Sequence, residues 1–140
     1  MASYTPAAAI ESRLRTEYTD NPIYLWSEVT DAPAATLGPF LVLEFPGGTS
    51  EQMSIGAPGS NWWEENGGFM VHIFVPLGSH DLNDARQIAE TVAAIFRGQE
   101  FSGVVCRAPN PPQPMREDKA VPAMYAGLSI FVPYYYRLRA

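Results

Sequence analysis

The sequence predicts an α+β protein: a single mixed, mainly antiparallel β-sheet packed against two helices, in the order α-β-β-β-α-β-β, with a long hairpin-like arm. Three observations predict it. In the run 69–75, Phe69, Val71, Ile73 and Val75 share one strand face, and Met70, His72 and Phe74 share the other, because strand side chains alternate. Both faces are largely apolar, the pattern of a strand covered on two sides. After a break at Pro76-Leu77-Gly78, the apolar residues Ala85, Ile88, Ala89, Val92, Ile95 and Phe96 recur at helical spacing over 81–97. Between strands, residues 49–61 are too polar and glycine-punctuated for a core, and loops of that length tend to be functional.

The elements follow in order. Residues 5–18 predict a first helix, with Thr5 as N-cap, Pro6 in the first turn and an apolar stripe of Ala7, Ile10 and Leu14. Glu11, Arg13, Arg15 and Glu17 are expected to face water. Asp20-Asn21-Pro22 stops the helix, and 23–26 reads as a short strand. After a Pro/Ala-rich connection over 31–38, residues 40–45 predict a strand ended by Pro46-Gly47-Gly48. Trp62 to Asn66 leads back into the central strand, making the polar stretch a candidate hairpin arm. Gly98 stands where a helix C′ glycine belongs. Residues 101–107 predict one strand, 108–121 an irregular segment, and 123–136 a closing strand. Pro133 is expected to keep the end of that strand out of the sheet's centre.

Composition excludes several functions. The 140-residue chain is 46% apolar, which rules out a disordered polymer, and holds no apolar run of membrane-spanning length. Its start lacks the pattern of a secretory signal, so a cytoplasmic origin is expected. The net charge is -6, and eight of the nine basic residues are arginine, with no dense basic run. A protein that grips DNA needs a basic patch, so DNA binding is not expected. The single Cys106 excludes an internal disulfide framework.

No catalytic constellation is legible. Cys106 reads as a small core residue and His72 as a packed one, while Ser79-His80-Asp81 reads as helix entry with Ser79 or Asp81 as N-cap. The histidines lack metal-ligand spacing, no cofactor is expected, and Glu64-Glu65 reads as a solvated pair at a strand start. Apolar residues stand instead where an isolated subunit has no use for them. Met53 and Ile55 lie within the arm, Trp62-Trp63 flank it, and Tyr134-Tyr135-Tyr136 precede Arg137 and Arg139. Consecutive aromatics cannot all enter one core, and aromatic and arginine side chains are enriched at interfaces.

Two longer patterns carry a family resemblance. One is Ser50-Glu51-Gln52-Met53-Ser54-Ile55-Gly56-Ala57-Pro58-Gly59. The other is Gly68-Phe69-Met70-Val71-His72-Ile73-Phe74-Val75-Pro76 with Gly78, then Ala94-Ile95-Phe96-Arg97-Gly98. Phe101-Ser102-Gly103-Val104, Arg107-Ala108-Pro109 and Val132-Pro133-Tyr134-Tyr135 continue them. In these the chain resembles the tail terminator proteins of long, non-contractile-tailed phages and phage-like gene transfer agents. The resemblance implies an α/β subunit, not an enzyme, assembled in the bacterial cytoplasm and carried in the virion tail near the neck. It implies a homo-hexameric ring on the finished tail tube that stops tube growth and joins the neck or head-completion proteins. DNA would pass through that ring without specific binding. Met53, Ile55, Trp62 and Trp63 are the expected subunit or tube contacts, with Tyr134, Tyr135, Arg137 and Arg139 behind them. The rival readings are another neck or tail-completion protein, or a small-molecule or hydrolytic domain with a pocket near His72 and Cys106.

Overall fold

The computed structural model describes residues 3–26, 38–115 and 125–140. The expected connection at 31–37 lies outside the described residues. So do Arg116-Glu117-Asp118-Lys119 and the first two residues of the expected closing strand.

Helix α1 spans Tyr4–Glu17 and buries Pro6, Ile10 and Leu14. Its N-cap position is Ser3 rather than Thr5, and the Ser3 hydroxyl leaves the helix unbonded because it is committed to Glu65. Helix α2 spans Leu82–Phe96 and is capped by Asp81. Asp81 accepts from the Asp84 amide at 3.1 Å and Asp84 accepts from the Asp81 amide at 3.1 Å, a reciprocal capping box. Gly98 follows at C′ with φ +64°. Arg13, expected to face water, joins the two helices. Its Nε donates to the Ile95 carbonyl at 3.0 Å and its guanidinium lies 5.0 Å from the Phe101 ring centre. A carbonyl in the last helical turn has no intrahelical donor, and a cation there is favoured by the helix dipole.

Among the described residues the strands form one seven-stranded sheet, in the order β1-β2-β3-β7-β5-β4, with β6 also paired to β7. The strands are β1 (Ile23–Leu25), β2 (Phe40–Gln52), β3 (Trp62–Pro76), β4 (Glu100–Phe101), β5 (Val104–Cys106), β6 (Gln113–Pro114) and β7 (Tyr125–Arg139). Only β1–β2 is parallel; the remaining pairs are antiparallel. Strand β2 does not end at Phe45. A register shift between Glu44 and Gly47 carries it past Pro46, and the ladder resumes as Gly47↔Gly68 and continues to Gln52↔Trp63. The stretch expected as one strand over 101–107 is a two-strand hairpin. Ser102 and Gly103 form its turn at φ +49° and +81°, the left-handed pair that a two-residue hairpin loop requires. Pro133 is not peripheral, because β7 lies between β3 and β5. The proline falls just beyond the end of β5, where its carbonyl accepts from the Arg107 amide at 2.8 Å and no donor is needed.

The main core lies between the sheet and the two helices. Phe69, Val71, Ile73 and Val75 of β3 meet Ile10 and Leu14 of α1 and Ala89, Val92 and Phe96 of α2. Cys106 and Tyr134 belong to this side. The opposite sheet face carries a smaller cluster of Phe40, Val42 and Phe74, which Tyr24, Met115 and Tyr125 partly cover. Both faces of β3 are therefore covered, as its two-sided apolar pattern predicts.

Glycine sets the strand approach where core becomes arm. A Cβ on Gly68 would lie 2.1 Å from the Phe131 ring, which lies across the strand at that point. Gly68→Ala is expected to destabilise the fold by about 1–3 kcal/mol through overpacking. Thermal unfolding checks this, with Gly78→Ala, whose added Cβ meets nothing within 4 Å, as the neutral control.

Candidate functional site: the three-stranded arm

The long strands continue beyond the helices as a three-stranded arm. Residues 47–52 of β2, 62–68 of β3 and 133–139 of β7 form one ladder, closed by rows such as Glu51↔Glu64↔Arg137. On the helix side its root is bolted down by Glu65, which is buried. Glu65 accepts from the Tyr134 hydroxyl at 2.7 Å, from the Ser3 amide at 3.3 Å and from the Ser3 hydroxyl. Burial, and then the hydrogen bond to Glu65, pushes the Tyr134 phenol well above its ordinary pKa, so it donates as a neutral hydroxyl. The start of α1 and the arm are thereby tied into one body.

The opposite arm face carries a file of charges and rings. Arg137 Nε donates to Glu64 at 2.7 Å and Asn66 donates to Glu64 at 3.0 Å. These two hydrogen bonds hold the Glu64 carboxyl below its usual pKa, and the partnership raises that of Arg137. The expected solvated pair Glu64-Glu65 is thus two buried carboxylates with separate partners. The guanidinium groups of Arg107 and Arg137 lie 5.0 and 5.1 Å from the Tyr135 ring centre, and that of Arg139 lies 5.4 Å from the Trp62 ring centre. Such contacts draw a guanidinium to a ring face by electrostatic attraction.

The tip, residues 53–61, is built by short-range bonds. The Met53 amide donates to the Trp62 carbonyl at 2.7 Å, the Ser60 amide to the Ala57 carbonyl at 2.8 Å, and the Trp62 amide to Ser54 Oγ at 2.8 Å. Asn61 exchanges two backbone bonds with Ala140, at 3.0 and 2.9 Å. Ile55 is 87% exposed, Met53 52% and Trp62 45%, so apolar surface crowns a framework that is otherwise bonded. Trp63 is half-buried on the helix side of the arm, with Nε1 donating to the Ala140 carbonyl at 3.1 Å. Of the eight expected contact residues, Tyr134 alone lies inside the subunit's own core, at 2% exposure. An apolar groove between α1 and the β1–β2 edge, lined by Tyr4, Ala7, Ala8, Leu25, Trp26 and Phe45, has no counterpart in the sequence reading. Two of its lining residues, Tyr4 and Trp26, are large apolar side chains left exposed.

The profile of the phage tail terminator protein family matches residues 7–122. The chain belongs to the phage tail terminator family. That membership makes the chain a structural component of a phage tail. One solved structure, 22% identical over 97% of this chain and 96% of its own, superposes with a TM-score of 0.63 and shares the fold. No curated protein matches the chain.

Elsewhere in the chain, the buried His72 links a half-buried Glu44 and a buried Ser129 by hydrogen bonds across three strands. Its Nδ1 is 2.6 Å from Ser129 Oγ and its Nε2 is 2.6 Å from Glu44 Oε2. Trp26 packs on the ring at 5.4 Å, and a cavity of about 320 Å³ adjoins them. Cys106 is not part of it. The thiol lies in the core on the other sheet face, where burial pushes its pKa up to about 12. Ser129 sits mid-strand, paired with His72 on one side and Gln113 on the other, unlike a nucleophile presented on a sharp turn. The trio reads as a polar clamp across β2, β3 and β7. Among the described residues, no three His, Cys, Asp or Glu side chains converge as metal ligands.

The bolt at Glu65 is testable. Glu65→Ala strands the Tyr134 hydroxyl in the core, and the charged hydrogen bond it removes is worth about 1.5–3 kcal/mol. Thermal unfolding is expected to show that loss, with faster amide exchange in the 62–68 ladder than in α2. Unchanged exchange in the arm would count against the bolt.

Proposed function

We propose that this protein terminates the phage tail tube by forming a homo-hexameric ring on its last turn. Binding there covers the surface that the next tube subunit would use, so growth stops by occupation rather than by chemistry. The ring's free side then receives the neck or head-completion protein, and DNA travels through its centre. The subunit would be made in the host cytoplasm and remain in the virion near the neck, in a phage or a gene transfer agent.

The observation that carries this reading is the arm tip. In a member of the tail terminator family, Met53, Ile55 and Trp62 are exposed at the end of a rigid three-stranded projection. Exposed apolar side chains on a preorganised element are what a contact surface needs, since little ordering entropy is lost on docking. Trp63, Tyr135, Arg137 and Arg139 are the supporting contacts at its flank. The net charge of -6 supports free passage of DNA, because nothing in the composition favours holding phosphates.

Replacing residues 53–60 by an Asn-Gly turn is expected to leave the circular dichroism spectrum intact. Rings and capped tubes are expected to disappear in negative-stain images of protein mixed with tail tubes. Capping that survives the replacement would remove the tip from the mechanism. The Glu44–His72–Ser129 chain favours a second reading, a small-molecule site in the adjoining cavity. His72→Ala is expected to lower thermal stability by about 1–3 kcal/mol, by leaving the buried Ser129 hydroxyl without its histidine partner, and to leave capping unchanged. Loss of a bound small molecule with retained stability would favour that second reading.

A further inference from the structure

Among the described residues, the arm has two unpaired strand edges. Strand β1 covers the outer edge of β2 only at Leu41, Val42 and Leu43, so β2 is open from Glu44 to Gln52. On the other side, β6 and β5 cover β7, and the amides of Asn110 and Arg107 bond to the Phe131 and Pro133 carbonyls at 2.9 and 2.8 Å. That cover ends at Tyr136 and leaves 137–139 open. An open edge is a template for another strand.

The two edges carry opposite charge on the same arm face. Glu51, Glu64 and Arg137 share one row, and Arg139 lies one like-facing position further on. Glu51 and Arg139 are exposed. Pairing β2 with β2 would set Glu51 against Glu51, and pairing β7 with β7 would crowd arginines. Like charges directly opposite destabilise a pair. Only β7 against β2 brings unlike charges together, and that joint is head-to-tail, the kind that closes rings.

We propose that neighbouring subunits join arm to arm, the 137–139 edge of one copy lying beside the 49–52 edge of the next, with Arg137 and Arg139 facing Glu51. Strands β2 and β7 both run antiparallel to β3, so they are parallel to one another. Rotation about an axis along the arm preserves that sense, which makes the joint a parallel pair. The inference rests on the ring proposed above and deepens it. Six arms of three strands would close into one barrel of about eighteen strands, a size that keeps an open channel. With strands about 4.8 Å apart and tilted by about 40°, the backbone diameter is about 35 Å. Subtracting a side-chain layer of about 5 Å on each wall leaves a bore of about 25 Å, enough for a duplex to pass.

The test is a charge swap read on tail tubes. Glu51→Arg and Arg139→Glu are each expected to abolish the rings seen by negative stain at tube ends, and Glu51→Arg with Arg139→Glu is expected to restore them. Ser50→Pro supplies a second probe. Met53 donates its amide to β3, so by alternation the Ser50 amide points outward, and proline removes a donor from the joint alone. Circular dichroism establishes that each variant is folded. Rings retained in both single swaps and in Ser50→Pro would overturn the joint while leaving the terminator reading intact. Single losses without rescue in the double swap would also overturn it. Rings retained off the tube with tube capture lost would assign the edge to the tube protein instead. Absence of rings from the unaltered protein on tubes would bring down the ring reading itself, and this joint with it.

Discussion

The structure depends on one uninterrupted ladder. Strands β3 and β7 pair from Trp62↔Arg139 to Pro76↔Tyr125, and no gap separates the part beneath the helices from the part that projects. A two-stranded ribbon alone in water is marginal at best. Here the ribbon is the continuation of strands whose inner halves are clamped by Phe69, Val71, Leu128 and Ile130 in the main core. Each of those side chains contributes roughly 1.5–3 kcal/mol on burial. The arm inherits its order from that core, and β2 widens it to three strands.

Continuity has a steric condition. At the root of the arm, β2, β3 and β7 must pass close together while Phe131 and Tyr134 lie across them from opposite faces. Gly48, Gly67 and Gly68 meet the condition, since a Cβ on any of them would fall within 3.0 Å of a neighbouring atom. The register shift at Pro46 meets it on β2, because a bulge bends the strand and removes the need for the missing amide. The bolt of Ser3, Glu65 and Tyr134 then fixes the arm against α1. A rigid element with a set direction results, and rigidity is what lets a small contact at the tip act at a defined place.

Legibility in the sequence followed the range of the interactions. Helix α2, its Asp81 cap and the inner half of β3 were readable because periodicity and capping are local. The arm was legible as a candidate hairpin, but which of its residues pair as strands was not. Thr49-Ser50-Glu51-Gln52 has the composition of a loop, and only pairing with 63–66 makes it a strand. Glu64-Glu65 looked solvated because the partners lie far along the chain: Arg137 at a separation of 73, Tyr134 at 69 and Ser3 at 62. Ser102-Gly103 hid a turn inside an apolar run, since the backbone angles of a two-residue hairpin leave little trace beyond the glycine. The exposed residues Met53, Ile55 and Trp62 were legible as misfits. Tyr134 was not separable from Tyr135, although strand alternation sends them to opposite faces.

An arm with two open edges carries a hazard that its own sequence limits. Exposed strands recruit other strands, and an uncontrolled version of this is aggregation. Among the described residues, β5, β6 and the bonded chain between them guard β7 up to Tyr136, while β1 guards β2 only at Leu41, Val42 and Leu43. The unguarded ends bear Glu51 on one edge and Arg137 with Arg139 on the other, so stacking of like edges is repelled and only one partner orientation remains. A single permitted orientation propagates a constant rotation from copy to copy. Whether such a series closes or runs on as a filament depends on that rotation. The bolt at Glu65 and the glycine root hold the arm's direction constant, so in the proposed joint that rotation is set within the subunit rather than by its neighbours.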